Sequence, residues 1–188
     1  MAYAVELRFD EDLAERVRAL WLALEQIGAG SFGPGSAPVP HMSLAVYDDE
    51  DEADAAAASD LVAELAARGA RSEIAFASLG VFPTEENVLF LAPVVTPTLL
   101  DLHAAYHAMA QRLGATCRPY YLPGRWVPHC TLSMQGSIAG VQDGLGHLAA
   151  RWKPPRGTIR SVALIKVPPL LTIAEHRLAG DGGASGQA

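Results

Sequence analysis

Two short stretches of this 188-residue chain set an imidazole and a hydroxyl at a spacing that suits proton transfer beside an anion. Val39-Pro40-His41-Met42-Ser43-Leu44-Ala45 and Val127-Pro128-His129-Cys130-Thr131-Leu132-Ser133 run through the same order of types: proline, histidine, apolar, hydroxyl, apolar. In an extended strand, successive side chains point to opposite faces. His41 and Ser43 therefore share one face while Met42 and Leu44 turn to a core. His129 and Thr131 share a face while Cys130 and Leu132 turn away. Two such faces looking at each other can move protons and hold an anion. The plainer alternative is that Pro-His merely opens two strands and each histidine caps an edge. The doubled proline and the doubled apolar neighbours weigh against it.

Composition bounds the elements that must position these residues. A chain of 188 residues suits one domain, or two small lobes packed closely, and half of it is hydrophobic, ample for a core. No apolar run approaches the length of a membrane span. The first nine residues alternate like a strand, so no signal peptide is expected. Two cysteines, Cys117 and Cys130, form neither a CxxC motif nor a disulfide framework, which points to the cytoplasm. A formal net charge of −7 argues against an extended nucleic-acid surface, yet leaves room for a small phosphorylated ligand bound by a local donor cluster.

The elements follow in order. Tyr3 to Phe9 reads as a strand, and Asp10 caps a helix whose stripe is Leu13, Val17, Leu20, Leu24 and Ile27. A loop of Gly28, Gly30, Gly33, Pro34, Gly35 and Pro38 leads to the first motif strand, His41 to Tyr47. Asp48 to Asp51 reads as a solvated acidic turn. A helix follows from Glu52 to Ala67, stopped at Gly69, then a strand from Ser72 to Phe82 in which Gly80 marks a bulge. Val88 to Leu91 is a buried strand, and a helix runs from Thr96-Pro97 to Leu113, ended by Gly114. A connection rich in Pro, Arg and aromatics leads to the second motif strand. The spacing then predicts a helix over Ser137 to Trp152, strands at Thr158–Val167 and Leu170–Leu178, and a disordered tail at 180–188.

The order strand, helix, His-strand, helix, strand occurs twice, over about 3–82 and about 87–178. The expected architecture is an α/β fold of the α+β type spanning 1–179: a duplicated, bilobal domain of mainly antiparallel sheets around a central cleft. His41 and His129 face each other across it.

His41-Met42-Ser43-Leu44 and His129-Cys130-Thr131-Leu132 resemble the paired His-apolar-Ser/Thr-apolar motifs of the two-histidine phosphoesterase superfamily, in particular its bacterial 2'-5' RNA ligase-like branch. Leu79-Gly80-Val81-Phe82-Pro83 and Pro123-Gly124-Arg125-Trp126-Val127-Pro128-His129 extend the likeness over nearly the whole chain. The resemblance implies metal-independent hydrolysis of 2',3'-cyclic phosphates or related phosphodiesters, and in some members joining of RNA ends through a 2'-5' bond.

That chemistry needs a base for water, an acid for the departing ribose oxygen, and donors for the spreading charge. Histidine suits both proton roles near neutrality. His129 is the expected base and His41 the expected acid, roles that exchange when the reaction runs in reverse, with Ser43 and Thr131 donating to phosphate oxygens. Arg125 is the candidate for a further phosphate contact, and Tyr120, Tyr121 and Trp126 for stacking a base. Rivals are weaker. His103 and His107 have the i, i+4 spacing of a zinc pair, but Ala104 stands where a zinc protease needs Glu, so they read as exposed or half-buried helix residues. Cys130 points away from His129 and reads as core; His147 and His176 read as surface. No metal and no cofactor is expected, and the expected partner is a nucleotide 2',3'-cyclic phosphate or a short RNA end, met by a monomer. The alternatives are a non-catalytic binder of phosphorylated ends, for which an acid-base pair is superfluous, and a 2'-5' RNA ligase.

Overall fold

The computed structural model describes residues 2–30, 39–48, 52–134 and 136–180, with only the backbone at 52–54. The glycine-proline loop over 31–38, the end of the acidic turn at 49–51 and the tail at 181–188 lie outside the described residues. The elements are β1 (Ala2–Phe9), α1 (Glu11–Gln26), β2 (His41–Tyr47), α2 (Glu52–Arg68), β3 (Ser72–Phe82), β4 (Val88–Pro93), α3 (Pro97–Ala110), β5 (Cys130–Ser133), α4 (Ile138–Ala149), β6 (Arg156–Val167) and β7 (Leu171–Arg177). A short 3-10 turn, Pro119–Tyr121, interrupts the connection before β5.

Local signals explain most boundaries. The Asp10 carboxylate accepts from the Leu13 amide at 2.9 Å and caps α1, as Thr96 caps α3 and Ser137 caps α4. Asp10 does more than cap: its other oxygen takes the Thr158 amide, and its own amide donates to the Thr158 carbonyl, tying the end of β1 to β6. Two helices stop short of their expected ends. In α3 the amides of Arg112 and Leu113 bond three residues back, and in α4 those of Arg151 and Trp152 do the same. Both last turns tighten into 3-10 geometry before a glycine or proline segment.

The strands form one antiparallel sheet in the order β2-β1-β6-β3-β4-β5, with β7 beside β6. Exchanging the first five elements for the second five (β1 for β4, β2 for β5, β3 for β6) turns this order into itself, as a pseudo-twofold relation requires. The third strand of each half crosses over: β6 pairs with β1, and β3 pairs with β4. Each lobe thus holds two strands of one half and the last strand of the other, which element order alone does not reveal. The Arg156–Ile159 end of β6 also pairs with β3, so the lobes share a continuous sheet. One apolar cluster runs through both, from Val5, Leu7, Met42 and Leu44 to Leu89, Leu91, Cys130 and Leu132.

The register of β3 corrects the bulge expected at Gly80, for the irregularity falls between Phe76 and Ser78. Gly80 pairs regularly with Phe90, and a Cβ there would collide with the Phe90 ring. The glycine makes room for an aromatic ring to lie over the sheet.

Candidate active site

The two motif strands, β2 and β5, are the opposite edges of the sheet. Edge strands leave backbone groups unpaired, and a buried unpaired carbonyl is costly. Here side chains take the outer carbonyls. Trp126 Nε1 donates to the Ser43 carbonyl at 2.9 Å, His107 Nε2 to the Leu44 carbonyl at 3.2 Å, and Trp21 Nε1 to the Thr131 carbonyl at 3.0 Å. The sheet curls until its edges meet: the Cys130 thiol is hydrogen-bonded to the His41 backbone, and His41 acts electrostatically on His129.

Alternation along each strand falls as the motif spacing requires. Met42, Leu44, Cys130 and Leu132 are buried, while His41, Ser43, His129 and Thr131 are half-buried. Each imidazole is braced by the carbonyl two residues back. His41 Nδ1 lies 2.7 Å from the Val39 carbonyl, and His129 Nδ1 lies 2.7 Å from the Val127 carbonyl. The proline between restricts the backbone so that this carbonyl turns toward the ring, which accounts for the repeated Val-Pro-His. A carbonyl only accepts, so Nδ1 carries a proton in both rings and Nε2 is left for chemistry.

Beyond that shared plan the halves differ. His129 packs against Phe82 and Phe90, with ring centroids 4.9 and 5.3 Å away. Burial lowers its pKa, the Val127 carbonyl opposes this, and the nearby His41 lowers it further. His41 instead has Glu6 Oε1 at 3.3 Å from Nε2. Glu6 pairs with Ser43 across β1 and β2 as Phe90 pairs with Thr131 across β4 and β5, so a carboxylate occupies one half where a phenyl ring occupies the other.

A cleft of about 500 Å³ opens on the His129 side, lined by His129, Thr131, Arg125, Trp126 and Tyr121 together with Phe82, Arg118 and Tyr120. Six of the eight residues expected at the site line it, Tyr120 among them, and the other two, His41 and Ser43, stand on the strand beside it. The Ser43 hydroxyl lies beside the Tyr121 phenol, to which it can donate. One face of Trp126 is covered by His103, stacked at 4.0 Å and 3°, which leaves its other face for the cleft. Arg125 is exposed, whereas Arg118 is bound to the Asp48 carboxylate at 2.6 and 2.8 Å. Glu6, Arg8, Phe82, Phe90 and Arg118 escape the motif argument because they come from distant strands and loops. The polar interruptions at Glu6 and Arg8 in an otherwise apolar first strand were the available signal.

The rival histidines need correction. His103 and His107 are buried, 3% and 9% exposed, and not exposed or half-buried helix residues. Their Nε2 atoms are occupied by the Tyr121 and Leu44 carbonyls. Burial lowers the pKa of His103 to about 4, against the pull of the Tyr121 carbonyl. They wedge α3 against the cleft wall. Cys130 is a core residue, its thiol pushed up to about 12 by burial. His147 is half-buried and His176 exposed. Among the described residues no three His, Cys, Asp or Glu side chains gather as metal ligands would, and no helix is long and apolar enough to cross a membrane.

Comparison with known proteins agrees with this fold. No curated protein matches the sequence. Among solved structures, TT0787 of Thermus thermophilus is similar with a TM-score of 0.63 and 20% identity, covering 96% of this chain and 99% of its own. E. coli LigT in apo form gives a TM-score of 0.65 at 17% identity over 95% and 97%. E. coli LigT complexed with 3'-AMP gives 0.65 at 16% identity over 94% and 97%. These likenesses establish the fold. The family described as the 2'-5' RNA ligase superfamily matches residues 9–168, a span that holds both His-apolar-Ser/Thr-apolar strands and, apart from β7 and most of β1, the strands of the curled sheet. The chain therefore belongs to the 2'-5' RNA ligase superfamily.

Proposed function

We propose that this protein is a metal-independent phosphodiesterase that opens the 2',3'-cyclic phosphates of nucleotides or RNA ends. The observation that carries this reading is the pairing of two unlike imidazoles. One sits in an aromatic pocket with its pKa lowered, the other against a carboxylate, and each has Nδ1 fixed on a carbonyl. Water attacks phosphorus as His129 Nε2 takes its proton. The bond to one ribose oxygen breaks, and His41 gives that oxygen a proton. Ser43, its hydroxyl turned from Tyr121 to the substrate, and Thr131 donate to the non-bridging oxygens as charge spreads over them. Arg125 supplies a further phosphate contact, and Tyr121 and Trp126 form the wall against which the nucleoside rests. The LigT structure that holds 3'-AMP has this fold, which supports an occupant the size of a nucleotide.

The test is turnover of the four nucleoside 2',3'-cyclic monophosphates in EDTA, with product regiochemistry read by phosphorus NMR. Turnover should survive chelation. Activity that vanishes in EDTA and returns with a divalent ion would overturn the mechanism. His41→Ala and His129→Ala should each lower turnover by roughly 10² to 10⁴. Ser43→Ala and Thr131→Ala should each cost roughly tenfold to a few hundredfold, because backbone donors and water partly substitute. An unchanged rate in either histidine variant would exclude a two-histidine reaction.

A further inference from the structure

The pseudo-twofold relation breaks next to the motifs, at Glu6. This carboxylate is only 2% exposed, an uncommon place for a charge unless it is paired. Its Oε2 lies 3.5 Å from Arg8 Nη2 and its Oε1 lies 3.3 Å from His41 Nε2. Arg8, 7% exposed, is held in turn by Glu175 at 2.6 Å and by the Thr172 hydroxyl at 2.9 Å. Ser161 donates to Glu175 at 2.5 Å. Burial works against ionising Glu175, but the Ser161 hydroxyl and Arg8 together outweigh it and keep the carboxyl below its ordinary range. Arg8 thus stands between two carboxylates, Glu6 and Glu175, and Glu175 also feels Arg160. Among the described residues, His41 is the other ion-pair partner of Glu6.

The partners of the two His41 ring nitrogens, one hydrogen bond and one ion-pair contact, point the same way. Nδ1 faces a carbonyl and Nε2 faces a carboxylate, and both partners only accept. A neutral ring has one N–H and one lone pair, so it would set a lone pair against one of them. An imidazolium has a donor for each. The His129 ring has no counterpart of Glu6, because Phe90 occupies that position.

We propose that Glu6, clamped by Arg8, is a positioning residue that holds His41 as the proton-bearing ring and so sets the direction of proton flow across the cleft. The consequence for catalysis rests on the cyclic phosphodiesterase reading above; the protonation of the ring does not. Among the described residues, the charged and titratable groups facing His41 are Glu6, with Arg8 behind it on β1, and His129 and the Cys130 thiol from β5. A contact of 3.3 Å is longer than the roughly 2.7–2.9 Å of a tight charge-assisted bond, so the Nε2 proton stays within reach of a ribose oxygen. As the P–O bond breaks, its electron pair goes to that oxygen, which takes the Nε2 proton. His41 is left neutral with Nδ1–H still on Val39. His129 then releases to solvent the proton it took from water, and His41 regains one from solvent. Glu6 touches no atom of the substrate and acts through His41.

Nitrogen-15 NMR of the histidine rings tests this at neutral pH, with His41 assigned by the signals lost in His41→Gln. In the unaltered protein both His41 nitrogens should carry protons. In Glu6→Gln the amide can donate to a neutral ring, so only Nδ1 should remain protonated. On a 2',3'-cyclic nucleotide kcat should fall by about ten- to a hundredfold in Glu6→Gln with KM within about twofold, and Glu6→Asp should recover part of the loss. A neutral His41 in the unaltered protein, or a ring unchanged by Glu6→Gln, would overturn the proposal. Should Glu6→Gln fail to fold, the ring state of the unaltered protein decides alone. The expected ring states in a protein inert toward cyclic phosphates would sustain Glu6 while removing the phosphodiesterase reading.

Discussion

His129 and His41 share a motif but not an environment, and the difference has a measurable sign. The Phe82 and Phe90 rings exclude water from His129, which disfavours its charged form and lowers its pKa. A base must be neutral to act. The acid limb of kcat/KM against pH should therefore lie below the value of about 6.5 for an unperturbed histidine. Phe82→Ala admits water to the ring and should move that limb upward toward 6.5 without moving the alkaline limb by as much. A limb that stays in place in Phe82→Ala would show that the aromatic contact does not tune the base. The two rings act on each other, so the limbs belong to the pair and not to either residue.

At the scale of the elements, the notable placement is that both motif strands are sheet edges held from outside by side chains. Trp126 joins the backbone of β2 to the connection before β5 and stacks on His103 from α3. Trp126→Phe keeps a ring for the stack but removes the N–H from the Ser43 carbonyl. The expected loss is about 1–2 kcal/mol, the cost of leaving a largely buried acceptor unpaired. Urea denaturation should show a lower midpoint with an unchanged slope. An unchanged midpoint would mean that water replaces the indole and that the edge is not held as described. The sequence places Trp126 beside the motif, and its aromatic character suits a base-stacking wall equally well. Only the position of the Ser43 carbonyl and the His103 ring reveals its other work.

For the whole molecule, burial of neutral histidines makes stability depend on pH. His103 titrates near 6.5 when unfolded and near 4 when folded. Between those values the unfolded chain binds more protons, so its contribution is complete above about pH 6.5 and is lost as pH falls toward 4. His107 and His129 shift in the same direction because of burial. The thermal midpoint should drop over this window, before the carboxylates of Asp48, Glu64 and Glu175, whose pKa values are lowered, become protonated. In His103→Gln the amide still donates to the Tyr121 carbonyl but cannot acquire a charge, so the drop should be smaller. A drop of the same size in His103→Gln would place the dependence elsewhere.

The sequence by itself determined every strand and helix to within a few residues, because alternation, caps and glycine stops act locally. Asp10, Thr96 and Ser137 begin helices through bonds that span three residues. The facing of His41 with Ser43 and of His129 with Thr131 follows from the same short-range geometry. Tertiary structure alone decided that the third strand of each half crosses to the other lobe, since strand exchange depends on pairing between segments far apart in the chain. It also decided that the two equivalent histidines would differ. Glu6 and Phe90 lie 35 and 39 positions from the histidines they touch, and only the registers β1-β2 and β4-β5 set a carboxylate beside one ring and a phenyl beside the other. Motif spacing is a property of one strand, whereas the charge of an imidazole depends on the strand next to it.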